Sequence, residues 1–313
     1  MKRKLVKQGA ATLMVSLPSK WAKKFNLKKG DEVEVEERGM HVVLKPKTAK
    51  KEAVISCFEA GGMVNDYISA LYEAGNEEVF VETKRIKDTN IEINPKNLEG
   101  FEIVKQTEEG IIFKQIVEGE NIESLYDKVF SMAVMFAEDC VSLVKGSKIN
   151  YVIVTKRKDS IINYCNFCKR AAIKKSERNE KAVQLYCIAL DIEKIITDFF
   201  SIIELAVKED YLGDNKDNKN NTYSFENSFA GDNLISVMTT GTTLFNNLYH
   251  LYKRFDLVVA ASFYEKLDEV TKKIHNISIQ TQKQLLLKER ICSIFSLLSD
   301  ILKKILMTAN YHN

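Results

Sequence analysis

The sequence is poor in the residues that interrupt helices, since its 313 residues include three prolines and 13 glycines. Scarcity of both is typical of proteins built from long helices. The apolar stretch FFSIIELAV is far shorter than the roughly 18 residues of a membrane span and contains Glu204. No secretory signal is recognised, and the six cysteines are scattered without a disulfide framework. We therefore expect a cytoplasmic protein without direct membrane insertion.

Acidic residues are missing before Asp31, in a segment rich in lysine and arginine. Residues 1–50 hold thirteen basic residues against five acidic ones, a net charge of +8. The remaining residues hold 33 basic against 38 acidic side chains, a net charge of −5. A basic end joined to an acidic body is typical of a nucleic-acid-binding module on a larger domain. A charged face that contacts only solvent is the alternative interpretation.

The N-terminal pattern predicts a small β-β-α-β-β unit. Residues 3–8 and 11–17 alternate as short strands around Gly9, and Pro18 begins a helix. A Gly30–Asp31 turn and a final strand that ends at Pro46 complete the unit. A unit of under 50 residues with few large apolar side chains buries little surface by itself. We expect it to require a partner, most simply a second copy.

These residues resemble the SpoVT/AbrB-like swapped-hairpin DNA-binding domain over residues 1–47. The matching positions are Arg3-Lys4-Leu5, Gly9, Thr12, Val15 to Pro18, Trp21, Leu27, Gly30-Asp31, Val33, Leu44 and Pro46. The resemblance implies an interlocked homodimer whose basic loops and strand ends contact duplex DNA. By position, it implies that Arg3 and Lys23 contact DNA.

The predicted DNA-binding group consists of basic residues that would neutralise phosphates and release counterions. Its members are Arg3, Lys4, Lys7, Lys20, Lys23 and Lys24, with Lys2 beside them. Ala10 stands where many members of the family have an arginine. This difference favours phosphate contacts and readout of DNA shape over direct base readout.

Residues 48–120 are predicted to form an α+β connector. Val64 to Ala74 fit a helix that Gly75 closes, and EEVFVE, FEIVK and GIIFKQI fit strands. The sequence QTEEG fits a hairpin turn between the last two strands.

The remainder of the chain is predicted to be mostly α-helical. Six segments fit helices, with Asn121 as the first N-cap, and apolar residues recur at steps of three and four in the first, third and sixth of them. The last three segments lie near 232–255, 257–276 and 280–309. The sequence EKIITDFFSIIE (193–204) aligns with ERICSIFSLLSD (289–300) at a constant offset of 96, which indicates a repeat. We expect two three-helix bundles, at 121–209 and 229–313, on either side of a flexible Asn/Asp/Lys-rich loop at 210–228.

This arrangement resembles PhoU, a phosphate-signalling protein made of two three-helix bundles. The likeness rests on the Glu-Lys/Arg-Ile patterns at 193–195 and 289–291 and on EKLDEVTKKI at 265–274. An AbrB-like domain followed by PhoU-like bundles is an archaeal arrangement. In PhoU proteins clustered acids bind cations, so a divalent or ferric metal is one possible cofactor. Solvated helix surface is the favoured interpretation of these acids, because the acidic clusters here are incomplete.

Catalytic motifs are absent from the sequence, so no catalytic residue and no enzymatic activity is predicted. The pair Cys165 and Cys168 forms a lone C-x-x-C inside a helical segment. Without further ligands nearby, this pair is interpreted as core filling rather than a metal or redox site.

The sequence as a whole predicts a DNA-binding transcription regulator of phosphate uptake. In this hypothesis, the AbrB-like head binds DNA and the PhoU-like bundles sense or relay phosphate status. One alternative is an adaptor that restrains a phosphate transporter or its signalling partner through protein contacts, with a head that serves only for dimerisation. Another is an antitoxin-like head that masks a toxin, which the large helical body disfavours.

Overall fold

The computed structural model describes residues 2–9, 12–38, 40–46, 51–83, 92–96, 98–116, 121–147, 149–175, 180–212, 222–223 and 231–309. The chain divides into two units, which we call the N-terminal unit (Met1–Lys51) and the C-terminal unit (Glu52–Asn313).

Two separate hairpins and one short helix make up the N-terminal unit. Its elements are β1 (Val6–Gln8), β2 (Thr12–Met14), α1 (Ser19–Lys24), β3 (Val33–Arg38) and β4 (His41–Pro46). β1 pairs with β2 and β3 with β4, both antiparallel, in two distinct two-stranded sheets. Pro18 directly precedes α1, and Gly30 has a φ of +99° in the predicted turn before β3. The predicted order of elements is confirmed.

The first two strands are shorter than the sequence pattern predicts. Residues 3–5 and 15–17 lie outside β1 and β2, although the pattern places them in strands. A hairpin in one chain supplies a pairing partner for only one edge of each strand, and two-stranded hairpins are marginal by themselves. The strand ends therefore lack a partner within the described residues of one chain.

The C-terminal unit begins with a mixed four-stranded sheet. Its elements are β5 (Glu52–Ser56), α2 (Cys57–Ala60), a 3-10 turn (Gly61–Met63), α3 (Val64–Glu73), β6 (Glu78–Glu82), β7 (Phe101–Gln106) and β8 (Gly110–Gln115). The strand order is β5-β6-β8-β7, with β5 parallel to β6 and the other pairs antiparallel. The predicted helix, three strands and hairpin are confirmed, whereas β5 and α2 were not predicted.

α3 ends in the conformation that the sequence predicts. Gly75 has a φ of +84°, and its backbone N–H donates to the carbonyl of Tyr72 at 2.9 Å. The N–H of Asn76 donates to the carbonyl of Leu71 at 3.1 Å. These two bonds form a Schellman motif, which satisfies carbonyls that the helix end leaves open.

Long helices form the rest of the C-terminal unit. They are α4 (Ile122–Val144), α5 (Tyr151–Lys175), α6 (Glu180–Leu212), α7 (Gly231–Lys253), α8 (Leu257–Asn276) and α9 (Gln282–Ala309). A two-residue ladder joins β9 (Ile149–Asn150) to β10 (Thr222–Tyr223). The predicted helices at the C-terminal end of the chain are confirmed, and Asn121 caps α4 by accepting from the N–H of Glu123 at 3.1 Å. Most of the predicted flexible loop lies outside the described residues, and α6 extends into its first part.

The helices pack as two sets of three that share one core. α4, α5 and α6 contact one another, as do α7, α8 and α9, and the most extensive packing of all joins α6 to α9. α4 also packs on α7, where the ring centroids of Phe130 and Tyr252 lie 5.1 Å apart. The buried apolar residues form one cluster that continues into the sheet, through Val64, Ile68 and other residues of α3. The likeness to PhoU stays a prediction.

Candidate nucleic-acid interface

Charge is segregated within the N-terminal unit. Residues 2–29 contain nine lysines and arginines and no acid. The acidic residues follow on the turn and on β3, where Asp31, Glu32, Glu34 and Glu37 are exposed. The β1–β2 hairpin and α1 are therefore positive, and the start of the β3–β4 hairpin is negative.

Three of the six predicted site residues belong to the first hairpin, and we call them the strand cations. Arg3 and Lys4 lie in the segment that leads into β1, and Lys7 lies on β1 opposite Leu13. All three are exposed.

The other three, the helix cations, lie on α1. Lys20, Lys23 and Lys24 are spaced by three and four positions, which places them on one side of the helix. Their side is solvent-exposed, while Trp21 and Phe25 are half-buried with ring centroids 5.5 Å apart. The helix therefore has one basic, exposed side and one half-buried aromatic side.

The six site residues have no carboxylate partner in the part of the chain that the structure describes. The ammonium of Lys24 lies 5.5 Å from the ring centre of Phe25, which is a weak cation–π contact. Exposed cations without an internal counterion are free to contact phosphate oxygens.

The N-terminal unit has no buried side chain among its described residues. Large apolar residues on both hairpins are open to solvent, with Leu13 63% exposed, Val35 62% and Val42 64%. A folded domain normally buries such residues, because each contributes about 1.5–3 kcal/mol when fully removed from water. The unit is therefore incomplete as a single chain. Ala10, on which the prediction of phosphate and shape readout depends, lies outside the described residues.

Several of the acids considered as metal ligands form ion pairs. Glu193 accepts from Lys169 at 2.8 Å, and Asp198 accepts from Arg290 at 3.1 Å. On the helix surfaces the pairs are Asp268–Lys272, Glu269 with Lys266 and Lys273, and Asp300–Lys303. Hydrogen bonds from Lys266 and Lys273 lower the pKa of Glu269 to about 2. No group of three His, Cys, Asp or Glu residues in the described ranges is placed to hold a metal ion.

Cys165 and Cys168 are fully buried inside α5. Burial raises the pKa of the Cys165 thiol well above its ordinary value, which keeps the thiol protonated and unreactive. Both cysteines fill core space, as the sequence analysis predicts.

Two buried cations in α5 were missed at the sequence level. Lys169 is 3% exposed and bridges Glu73 of α3 at 2.9 Å and Glu193 of α6 at 2.8 Å. Arg170 is 1% exposed and donates to the carbonyls of Tyr72 and Asn76 and to Gln115 of β8. The only signal in the sequence is a Lys-Arg pair between the apolar FC and AAI segments of a helix. These residues join the sheet layer to the helices.

Comparison with known proteins gives a match in the N-terminal segment. Residues 6–52 match the family described as "Antidote-toxin recognition MazE, bacterial antitoxin". No curated protein matches the chain. No solved structure matches it either. No described helix is long and apolar enough to cross a membrane. The match supports an AbrB/MazE-like domain at the N terminus, which is consistent with either a DNA-binding regulator or an antitoxin.

Proposed function

We propose that this chain is a transcription regulator that binds duplex DNA as a homodimer through its N-terminal unit. The observation that carries the proposal is the charge of residues 2–29, where nine cations occur without an acid. The six predicted site residues are exposed and have no internal carboxylate partner within the described chain. Phosphate contacts of this kind supply most of the affinity in sequence-tolerant DNA binding.

Dimerisation completes the proposed site. Two hairpins with no buried side chain among their described residues gain a core when strands of a second copy interlock with them, and AbrB/MazE-like domains typically dimerise. In a symmetric dimer each set of cations occurs twice, and the strand cations of one copy join the helix cations on one platform. The exposed residues Leu13, Val35 and Val42 are the apolar surface that the partner would cover.

The C-terminal unit is proposed to act as a non-enzymatic sensing or relay module in the cytoplasm. The assignment of phosphate uptake as the regulated process rests on the resemblance of residues 193–195 and 289–291 to PhoU. A phosphate transporter or signalling protein is the partner that this resemblance favours. Chromatin enrichment of the protein at phosphate-uptake genes, compared between phosphate limitation and repletion, tests this part. Equal enrichment across the genome in both conditions would contradict it.

DNA binding is tested by electrophoretic shift of the full-length chain on duplex DNA. The triple variant Arg3→Ala, Lys20→Ala, Lys23→Ala is expected to lose about 10²-fold or more in affinity at moderate salt. Unchanged affinity at every salt concentration would overturn the proposal.

An antitoxin is the second candidate, because the matched family is described as an antitoxin. An antitoxin must bind and neutralise a toxin. This candidate function therefore predicts that the chain forms a stoichiometric complex with a protein encoded beside it. Expression of each neighbouring gene with and without this chain separates the two functions. Growth arrest that this chain relieves would favour the antitoxin.

A further inference from the structure

The first strand of the C-terminal unit has an open edge. β5 lies at one end of the four-stranded sheet and, among the described residues, pairs only with β6. Its five residues run in regular register with β6, without a bulge. An unpaired edge presents a row of backbone N–H and C=O groups to any strand that can align with it.

The two edges of this sheet differ in how they are protected. β7, at the opposite edge, has a register irregularity between Ile103 and Lys105, and Glu102 and Lys105 are exposed on it. Bulges and charges of this kind prevent edge-to-edge pairing. β5 has neither proline nor lysine nor a bulge, and its central residue Val54 is 71% exposed. The β7 edge is therefore blocked, whereas the β5 edge is able to pair with another strand.

We propose that β5 pairs antiparallel with β5 of a second copy of this chain, about a two-fold axis at Val54. The two four-stranded sheets then become one continuous sheet. In this register Glu52 faces Ser56 of the second copy, Ala53 faces Ile55, and the two Val54 side chains meet. No two like charges lie opposite each other in this register. Each residue also faces a residue whose side chain lies on the same face of the joined sheet, as a stable register requires.

The second copy is the occupant because the strand follows the N-terminal unit so closely. Five residues, 47–51, separate β4 from β5. This inference rests on the proposed function in one respect, since dimerisation of the N-terminal units holds the two β5 strands at high effective concentration. A five-residue strand pair is too weak to hold two free chains together, whereas tethered strands need little further stabilisation. A symmetric strand pair also matches the two-fold symmetry of such a dimer.

The pairing is tested by cross-linking full-length Val54→Cys. In the proposed register the two Cα atoms at position 54 lie about 4.5–5.5 Å apart, which is within the range of a disulfide. Oxidation is expected to convert most of the variant into a covalent dimer. Val104→Cys is the matched control, because Val104 is a half-exposed residue of the opposite edge strand. The control and the wild-type chain, with its own cysteines, are expected to give background cross-linking only.

The outcomes separate this inference from the proposed function. A wild-type chain that is monomeric by light scattering contradicts both. A dimer in which Val54→Cys cross-links no more than Val104→Cys contradicts the strand pairing alone. A dimer that cross-links but does not retain duplex DNA contradicts the proposed function alone.

A second variant tests the strand pairing without relying on disulfide formation. Val54→Lys places two ammonium groups opposite each other and is expected to raise the dimer dissociation constant roughly fivefold. Val104→Lys is expected to leave this constant unchanged. Equal dissociation constants for wild type and Val54→Lys would overturn the strand pairing.

Discussion

Arg170 and Arg3 have the same side chain in opposite surroundings. Arg170, in the C-terminal unit, is 1% exposed and donates to three oxygens of α3, its following loop and β8. Arg3, in the N-terminal unit, is exposed and has no carboxylate partner in the described part of the chain. A buried cation without partners is strongly unfavourable, whereas an exposed one costs nothing and remains available to a ligand. The surroundings of a cation, rather than its charge, indicate whether it serves stability or binding.

The same contrast holds for apolar residues. The C-terminal unit encloses a continuous buried cluster that extends from α3 to α9. The N-terminal unit exposes valines and leucines on both hairpins and buries none of its described side chains. The C-terminal unit is therefore expected to be stable within a single chain, whereas the N-terminal unit depends on association.

The largest expected effect is that of Arg170→Met. The substitution leaves the carbonyls of Tyr72 and Asn76 without their charged donor, and we expect the free energy of unfolding to fall by about 3–5 kcal/mol. Chemical denaturation of the full-length chain measures this loss. Arg157→Met is the matched control, because Arg157 lies on the same helix and pairs with Asp139 at the surface. The control should cost about 1 kcal/mol or less, and equal losses for the two variants would contradict the account.

Gly110→Ala is expected to destabilise the C-terminal unit by about 2–4 kcal/mol. A methyl group at this position would clash with the carbonyl oxygen of Val81 and lie 2.6 Å from the ring of Phe80. In the N-terminal unit, Gly30 has open space around it, and its φ of +99° is the only constraint. Gly30→Ala should therefore cost the backbone strain alone, about 1–2 kcal/mol. Thermal unfolding of both variants measures the two losses of stability. A larger loss of stability for Gly30→Ala than for Gly110→Ala would contradict this prediction.

The contribution of Lys169 is expected to depend on pH. Burial alone would lower the pKa of Lys169, but hydrogen bonds and the charges of Glu193 and Glu73 outweigh burial and raise it. A raised pKa in the folded state means that the stabilisation is complete below the ordinary lysine pKa of about 10.4 and is lost as the pH rises through the folded value. The stability difference between wild type and Lys169→Met should therefore shrink in this alkaline range. Denaturation curves of both proteins at neutral and alkaline pH test this prediction. A stability difference between wild type and Lys169→Met that grows with pH would contradict it.

The smallest expected effect on stability is that of the helix cations. Lys20→Ala and Lys23→Ala remove exposed side chains that have no partner in the described part of the chain, so the free energy of unfolding should change by at most about 0.5 kcal/mol. Their DNA affinity should nonetheless fall. A large loss of stability would show that these lysines hold the N-terminal unit together rather than bind a ligand.

The sequence was most informative where one local signal determines the structure. The helical stretch predicted near 257–276 has the bounds of α8, and Gly75 marks the end of α3, because both features depend on residues near one another in the chain. β5 was not predicted, since its five residues show little alternation and its place depends on pairing with β6. The partners of Lys169 and Arg170 could not be predicted either, because α3, β8 and α6 supply them from distant parts of the chain.

The candidate site was predicted from the sequence because it is local and exposed. All six cations lie within residues 3–24, and their unbroken positive charge is visible without a structure. The structure adds that none of them has a carboxylate partner among the described residues. In the proposed dimer, the second chain determines which of these cations share one surface, so that surface could not be predicted from one sequence.

The salt dependence of DNA binding tests the central claim most directly. Affinity of the full-length chain for duplex DNA is measured over a range of salt concentrations, for wild type and for Arg3→Ala, Lys20→Ala, Lys23→Ala. Each lost phosphate contact reduces the slope of log affinity against log salt by about 0.9, so a dimer lacking six such contacts should lose up to about five in slope. A control with Arg157→Ala, Lys272→Ala and Lys303→Ala, which removes paired surface cations of the C-terminal unit, should keep the wild-type slope. If both triple variants had the same slope as wild type, the cations of the N-terminal unit would not be the DNA-binding surface.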